Sequence, residues 1–162
     1  IYKMVIWILG ISGVGKTFFA KELLKKIKGK KFHIDGDELR ANFFKKLGYS
    51  KKDRKISGNL TVKLCKYLEE KNFTVVVSMQ SMFPRMQKEN RTIFKKYFQI
   101  YIKSNLNLLK KRDNKKIYLK SSNVLGLNLK FPKPYKSHML IKNNFDKSYK
   151  SQIKKVLKKI NI

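Results

Sequence analysis

Between Gly10 and Thr17 the chain reads GISGVGKT, and further on, from Asp35 to Arg40, it reads DGDELR. The first stretch fits G-x-x-x-x-G-K-[ST], a spacing in which glycines let a loop wrap a polyphosphate with its backbone N–H groups. Its candidate nucleotide-binding residues are Gly10, Ser12, Gly13, Val14, Gly15, Lys16 and Thr17. Lys16 would neutralise the β and γ phosphates, and the Thr17 hydroxyl would ligate Mg²⁺. Asp35 and Asp37 flank a glycine in the second stretch. A carboxylate beside a phosphate loop can accept a hydroxyl proton, or orient Mg²⁺-bound water, as a phosphoryl acceptor attacks in line. The same run also reads as an Asp-Gly turn with Asp37 as a helix cap, and only its pairing with the phosphate loop favours chemistry. Arg40 lies one helical turn after Asp37, where its planar fork can grip an anionic acceptor. Arg112 and Lys115 supply lid cations that could close over the nucleotide.

These residues meet only if strands deliver them to one edge. Met4 to Leu9 (MVIWIL) is continuously apolar and β-rich, as a strand buried on both faces should be, and it runs into the glycine loop. A helix follows from Lys16 or Thr17 with Phe18, Phe19, Leu23, Leu24 and Ile27 as its core face, ended by Gly29. Lys31 to Ile34 is a short strand, and the helix after it carries Leu39, Phe43, Phe44 and Leu47 up to Gly48. Ser50 caps a longer helix through about residue 71. Phe73 to Met79 and Tyr97 to Ile102 are further strands, with a helix opened by Pro84 between them. A helix from about Asn105 to Arg112, a strand Met139 to Ile141 and a closing helix from about Asp146 to Ile160 complete the pattern. Strands alternating with helices predict an α/β fold: a parallel sheet flanked by helices on both faces, with ligands at the carboxyl ends of its strands. The irregular segment 113–134 is too long for a plain connection and reads as a lid.

At 162 residues with 42% hydrophobic content, residues 1–162 read as one domain able to bury a proper core. The 40 Lys+Arg against 10 Asp+Glu call for anionic partners, yet the lysines are spread evenly, which favours a solvated surface over a specific nucleic-acid stripe. Such charge should still speed nucleotide capture at low salt. Cys65, the one cysteine, excludes an internal disulfide and sits with Val62, Leu64 and Leu68 on a helix face, as a buried structural thiol would. His33 and His138 have no second ligand at metal spacing and read as structural, so the only metal expected is the Mg²⁺ of MgATP. The longest apolar run is too short to span a bilayer and no basic-then-apolar leader is visible, so a cytoplasmic protein without a membrane partner is expected. Ile1 in place of Met points to a fragment or processed chain, with Met4 as an internal start. Oligomeric state is left open, a homodimer included.

Taken together, the motifs resemble the adenylylsulfate kinases. That family's pattern runs through a G-x-S-G-x-G-K-T loop, D-G-D-x-x-R, L-G-[FY]-S, D-R, a strand leading to a Ser-containing turn, and a lid R-D-x-K-x-x-Y. This chain has Gly10 to Thr17, Asp35-Gly36-Asp37 with Arg40, Leu47-Gly48-Tyr49-Ser50, Asp53-Arg54 and Ser78 to Phe83. Arg112-Asp113-Asn114-Lys115-Lys116-Ile117-Tyr118 follows, then Asn123-Val124-Leu125-Gly126 and the prolines Pro132 and Pro134. The resemblance implies a P-loop kinase fold with a short lid, moving the γ-phosphate of MgATP to the 3′-hydroxyl of a small anionic nucleotide such as adenylylsulfate. It implies Asp35 as base or water-orienting acid, Asp37 and Arg40 as acceptor holders, and Tyr49 as a stacking surface for the acceptor base. Lys115 would belong to the lid, and Arg112 would lie near the ATP adenine.

Three departures fall on the acceptor side. Where the family has N-I-R-R, this chain has Ser57-Gly58-Asn59-Leu60, so Asn59 replaces an acceptor-clasping arginine. The lid is shorter, and Val124 replaces an aromatic that would sandwich adenine; a stacking face is worth roughly 1–3 kcal/mol. The S-P-[FY]-R turn becomes Ser81-Met82-Phe83-Pro84, its arginine displaced or replaced by Arg85. Such changes fit a divergent branch similar to the cytidine diphosphoramidate kinases of capsule polysaccharide modification, whose pyrimidine needs less stacking surface. Two other readings remain: another small-molecule kinase on the same fold, against which Tyr49 counts, and a nucleic-acid-binding ATPase, which the charge alone would favour. Against the ATPase, the strand Phe73 to Met79 runs into Ser78-Met79-Gln80-Ser81 without a Mg²⁺-holding acid.

Overall fold

Five parallel strands lie side by side in the order β2-β3-β1-β4-β5: β1 (Val5–Leu9), β2 (Lys31–Asp35), β3 (Thr74–Ser78), β4 (Tyr97–Lys103) and β5 (Met139–Lys142). The computed structural model describes residues 3–113, 116–120 and 124–161. Alternation along β1 explains its unbroken apolar run. Ile6 and Ile8 face a core built with Val76, Ile100 and Ile102, whereas Val5, Trp7 and Leu9 face a second core with Val75, Val77 and Ile34. The first core is closed by α1 (Lys16–Lys26) and α7 (Ser148–Lys159) through Phe19, Leu23, Tyr149, Ile153 and Val156. The second is closed by α3 (Lys51–Glu70) through Val62, Cys65 and Leu68. Cys65 is buried there, and burial pushes its thiol pKa up.

The expected elements are all present, with Ser50 capping α3 through the Asp53 N–H at 3.1 Å and Pro84 opening α4 (Pro84–Ile93). Three expectations need correction. The helix after β2 is short: α2 spans Gly36–Asn42, and Phe43 is 77% exposed rather than in the core. Its reason is Arg40, whose Nη1 donates to the carbonyls of Leu47 (3.0 Å) and Gly48 (2.6 Å) and turns the chain back on itself. Phe18 is half exposed rather than a core residue of α1, the neighbouring Phe19 taking that place. The segment after α5 (Leu106–Lys111) is not merely irregular. It contains α6 (Ile117–Lys120), capped by Asp113 through the N–H groups of Ile117 (2.9 Å) and Tyr118 (2.7 Å), and Val124 and Leu125 are buried. Among the described residues, no helix is long and apolar enough to cross a membrane.

Candidate functional site

The carboxyl ends of β1, β2 and β3 converge on the glycine loop. Its carbonyls are held by protein donors: Tyr118 Oη donates to Ser12 (2.6 Å), Asn143 Nδ2 to Val14 (3.0 Å) and Tyr149 Oη to Gly15 (2.9 Å). Carbonyls engaged outward leave the N–H side of the loop, at the start of α1, for an anion. Gly15 has φ +94°, and a Cβ there would meet Asn143 Nδ2 at 2.9 Å and Tyr149 Oη at 3.0 Å, so no other residue fits. Lys16 Nζ donates to the Ile11 carbonyl at 2.9 Å, within the same loop. Gly10 and Val14 shape the loop from beneath; a Cβ on Gly10 would come within 2.3 Å of the Ile102 carbonyl.

Asp35 ends β2 opposite Ser78 of β3 and bridges the two halves of the motif. Its Oδ2 accepts from the hydroxyls of Thr17 (2.6 Å) and Ser78 (2.8 Å), and its Oδ1 accepts from the N–H groups of Asp37 (2.9 Å) and Glu38 (3.3 Å). Asp35, rather than Asp37, therefore caps α2. Capping and chemistry are not alternatives here, because one oxygen serves each. Burial pulls the Asp35 carboxyl upward, but the Thr17 and Ser78 hydroxyls and the two N–H groups outweigh it and hold the group below the usual carboxylate range. His33 completes the row, its Nε2 lying 2.9 Å from Ser78 Oγ. Since the Ser78 proton goes to Asp35, His33 Nε2 donates to Ser78.

On one side of the loop opens a cleft of about 460 Å³ lined by Lys16, Thr17, Asp35, Asp37, Arg40, Tyr49, Arg54, Ser81 and Val124 among others. Arg40 and Arg54 both approach the Tyr49 ring, at 4.5 and 5.3 Å from its centroid. Arg54 enters the sequence reading in the Asp53-Arg54 motif without a role in the site, and its position in the cleft is the signal for one. It donates to the Tyr49 carbonyl at 2.9 Å and to Gln80 Oε1. Burial and the neighbouring Arg40 push its pKa down, the mark of two guanidinium groups crowded together. An anion between them would relieve both costs. Ser81 has φ +49° and accepts from Trp7 Nε1 at 2.6 Å, a constraint that holds this turn at the cleft wall. Gly36 is required beside it, because a Cβ would meet Met79 Cβ at 2.8 Å.

Two residues expected near the acceptor are elsewhere. Asn59 lies on the exposed side of α3, while Ser57 and Gly58 of the same helix line the cleft. Arg85 is exposed and pairs with Glu89 at 2.9 Å along α4. Lys115 lies outside the described residues. His138 is structural: Nδ1 accepts from the Gln99 N–H at 2.8 Å and the ring stacks on Phe98.

Across the loop lies a second cleft, of about 440 Å³, sharing Ser12, Gly13, Gly15, Phe18 and Ile117 with the first. Here Arg112 sits over the Phe145 ring, 4.3 Å from its centroid. A flat cation on an aromatic ring could receive a planar group, and the loop that both clefts share could hold an anion between them. The two clefts, joined by one glycine loop, could therefore hold two ligands on either side of a shared anion.

Comparison with known proteins agrees. The adenylylsulphate kinase family model matches residues 2–142. A cytidine diphosphoramidate kinase of Campylobacter jejuni is 30% identical, covering 96% of this chain and 95% of that protein. A probable adenylyl-sulfate kinase of Pyrococcus abyssi is 33% identical over 72% of this chain and 68% of its own length. Among solved structures, the Mycobacterium tuberculosis APS kinase in complex with AMPPNP and APS superposes with a TM-score of 0.87, covering 98% of each chain at 22% identity. The family match over most of the chain and the near full-length likeness to these proteins agree: this ATP-dependent kinase, of P-loop kinase fold, belongs to the adenylylsulphate kinase family.

Proposed function

We propose that the chain transfers the γ-phosphate of MgATP to the ribose 3′-hydroxyl of a small anionic nucleotide. The observation that carries this reading is Asp35, which joins the Thr17 hydroxyl to a cleft walled by Arg40, Tyr49 and Arg54. The oxygens of Thr17 and Asp35 are the hard donors that would hold the Mg²⁺ carried by ATP. Bound with ATP, Mg²⁺ would neutralise charge on the β and γ phosphates. Lys16 adds a second positive charge to the same oxygens once it leaves the Ile11 carbonyl. The acceptor hydroxyl oxygen forms a bond to the γ-phosphorus as the bond to the β–γ bridging oxygen breaks; ADP departs, and the hydroxyl proton passes to the transferred phosphoryl group and on to solvent. Burial raises the Asp35 pKa, but four donated hydrogen bonds outweigh it and leave the group below its usual value, so Asp35 serves as a fixed charge. It orients, and a loose transition state asks little of a base.

Arg40 and Arg54 would hold the anionic end of the acceptor while Tyr49 meets its base. Adenylylsulfate is the acceptor that the family's description names. Cytidine diphosphoramidate is the second reading, and Val124 favours it: a buried aliphatic side chain lines the cleft where the resemblance expects an aromatic. The near full-length similarity to the Campylobacter enzyme supports the same choice. The test is ADP release with MgATP and each acceptor side by side, with the product identified by mass. Turnover of one acceptor assigns the substrate; no stimulation by either overturns the nucleotide reading.

A further inference from the structure

Phe18 stands one residue after Thr17 at the start of α1, with half of its surface exposed in a chain whose other aromatic on that turn, Phe19, is fully buried. An exposed phenyl ring on a flat surface needs no explanation. This one is in a concavity: it lines both clefts, at the boundary where the phosphate loop separates them. It is also held in place. Its ring stacks on Tyr149 at 6.1 Å and 25°, and Tyr149 is itself pinned by its hydroxyl to the Gly15 carbonyl at 2.9 Å. The second cleft therefore has two aromatic elements, Arg112 on Phe145 and Phe18 on Tyr149.

We propose that Phe18 is a specificity-determining residue for the donor, its ring packing against the ribose and base of ATP rather than against the acceptor. The phosphate loop ends at Thr17, so a nucleotide whose phosphates lie on residues 13–17 leads its sugar out past the next residue of α1. Phe18 reaches this point with an apolar face that water leaves at no polar cost. An aromatic face against a nucleoside strengthens binding roughly five-fold or more. It contributes nothing to a bare phosphate chain. Phe18 lies outside the apolar core, so its replacement leaves the fold intact.

Binding separates the contact from a general disturbance of the loop, and needs no acceptor. Dissociation constants for ADP and for inorganic tripolyphosphate are measured by competition against a fluorescent nucleotide in the parent, Phe18→Thr and Phe18→Tyr proteins. Expected is a loss of about five-fold or more in ADP affinity for Phe18→Thr, unchanged tripolyphosphate affinity, and recovery in Phe18→Tyr. Equal loss for both ligands would show that Phe18 only props the loop and would overturn the proposal. So would unchanged ADP affinity, including the case in which only the KM of the acceptor moves.

Discussion

Replacing Asp35 by Asn separates the two tasks of this side chain. Asn keeps an oxygen where Oδ1 accepts from Asp37 and Glu38, and Asn and Asp cap helices about equally well, so α2 should persist. On the other oxygen the exchange is severe. An amide N–H₂ now faces the hydroxyls of Thr17 and Ser78, which donated at 2.6 and 2.8 Å, and both must turn round to accept. Thr17 then spends on Nδ2 the lone pair that a metal would take. Hydrogen bonds to a charged group are worth about 1.5–3 kcal/mol each. As an outer-shell partner, the lost carboxylate should lower kcat by about 10- to 100-fold. Initial rates of ADP release at saturating ATP and acceptor measure this, with urea unfolding as the control. Asp35→Ala should in addition lose the cap, about 0.5–2 kcal/mol. The pH dependence follows from the depressed pKa. Asp35's contribution to stability is complete above its unfolded value of about 3.9 and is lost as pH falls through the lower folded value. The urea midpoints of Asp35→Asn and the parent should differ at pH 7 and converge only in stronger acid. Parent-like kcat in Asp35→Asn would refute the assignment.

Lys16→Ala should abolish phosphoryl transfer, because no other side chain of the loop brings a cation to the γ-phosphate; an ATP-dependent single-turnover assay checks this. Arg54→Ala should raise the KM of the acceptor by about ten-fold or more, the value of a charge-assisted contact, while the KM of ATP stays put. Asn59→Ala should alter neither KM, since the side chain lies on the far face of α3 from the cleft; steady-state kinetics with the accepted nucleotide decide both.

The sheet was legible because a parallel strand buried on both faces must be apolar at every position, and MVIWIL and FTVVVSM admit few other readings. The glycine loop was legible for a related reason: its neighbours leave no room for a Cβ at Gly15. Position on α3 was harder. Reading Asn59 by its place in a motif ignored that successive helical residues are turned about 100° apart, so Gly58 can line a cleft while Asn59 faces water. The end of α2 is hidden for another reason: Phe43, Phe44 and Leu47 continue a helical spacing that the structure stops at Asn42. What stops the helix is the long reach of Arg40 to the carbonyls of Leu47 and Gly48, a contact that no local pattern announces.

That same contact bears on why the glycine loop is written in the sequence and the cleft proposed for the acceptor is not. Phosphates are held by backbone, and backbone geometry demands glycine at fixed spacing. The proposed acceptor cleft is walled by side chains from separate segments, with Asp37 and Arg40 on α2, Tyr49 in the turn, Arg54 on α3, Ser81 after β3 and Val124 beyond α6. Their meeting depends on Arg40 folding the chain back so that Tyr49 lies between two guanidinium groups. A change at Val124 alters one wall of this cleft and leaves the sequence of the glycine loop as it is. On the proposed assignment, donor and acceptor recognition can diverge separately, and the identity of the acceptor is to be sought in the shape beside Val124 and Tyr49 rather than in the glycine loop.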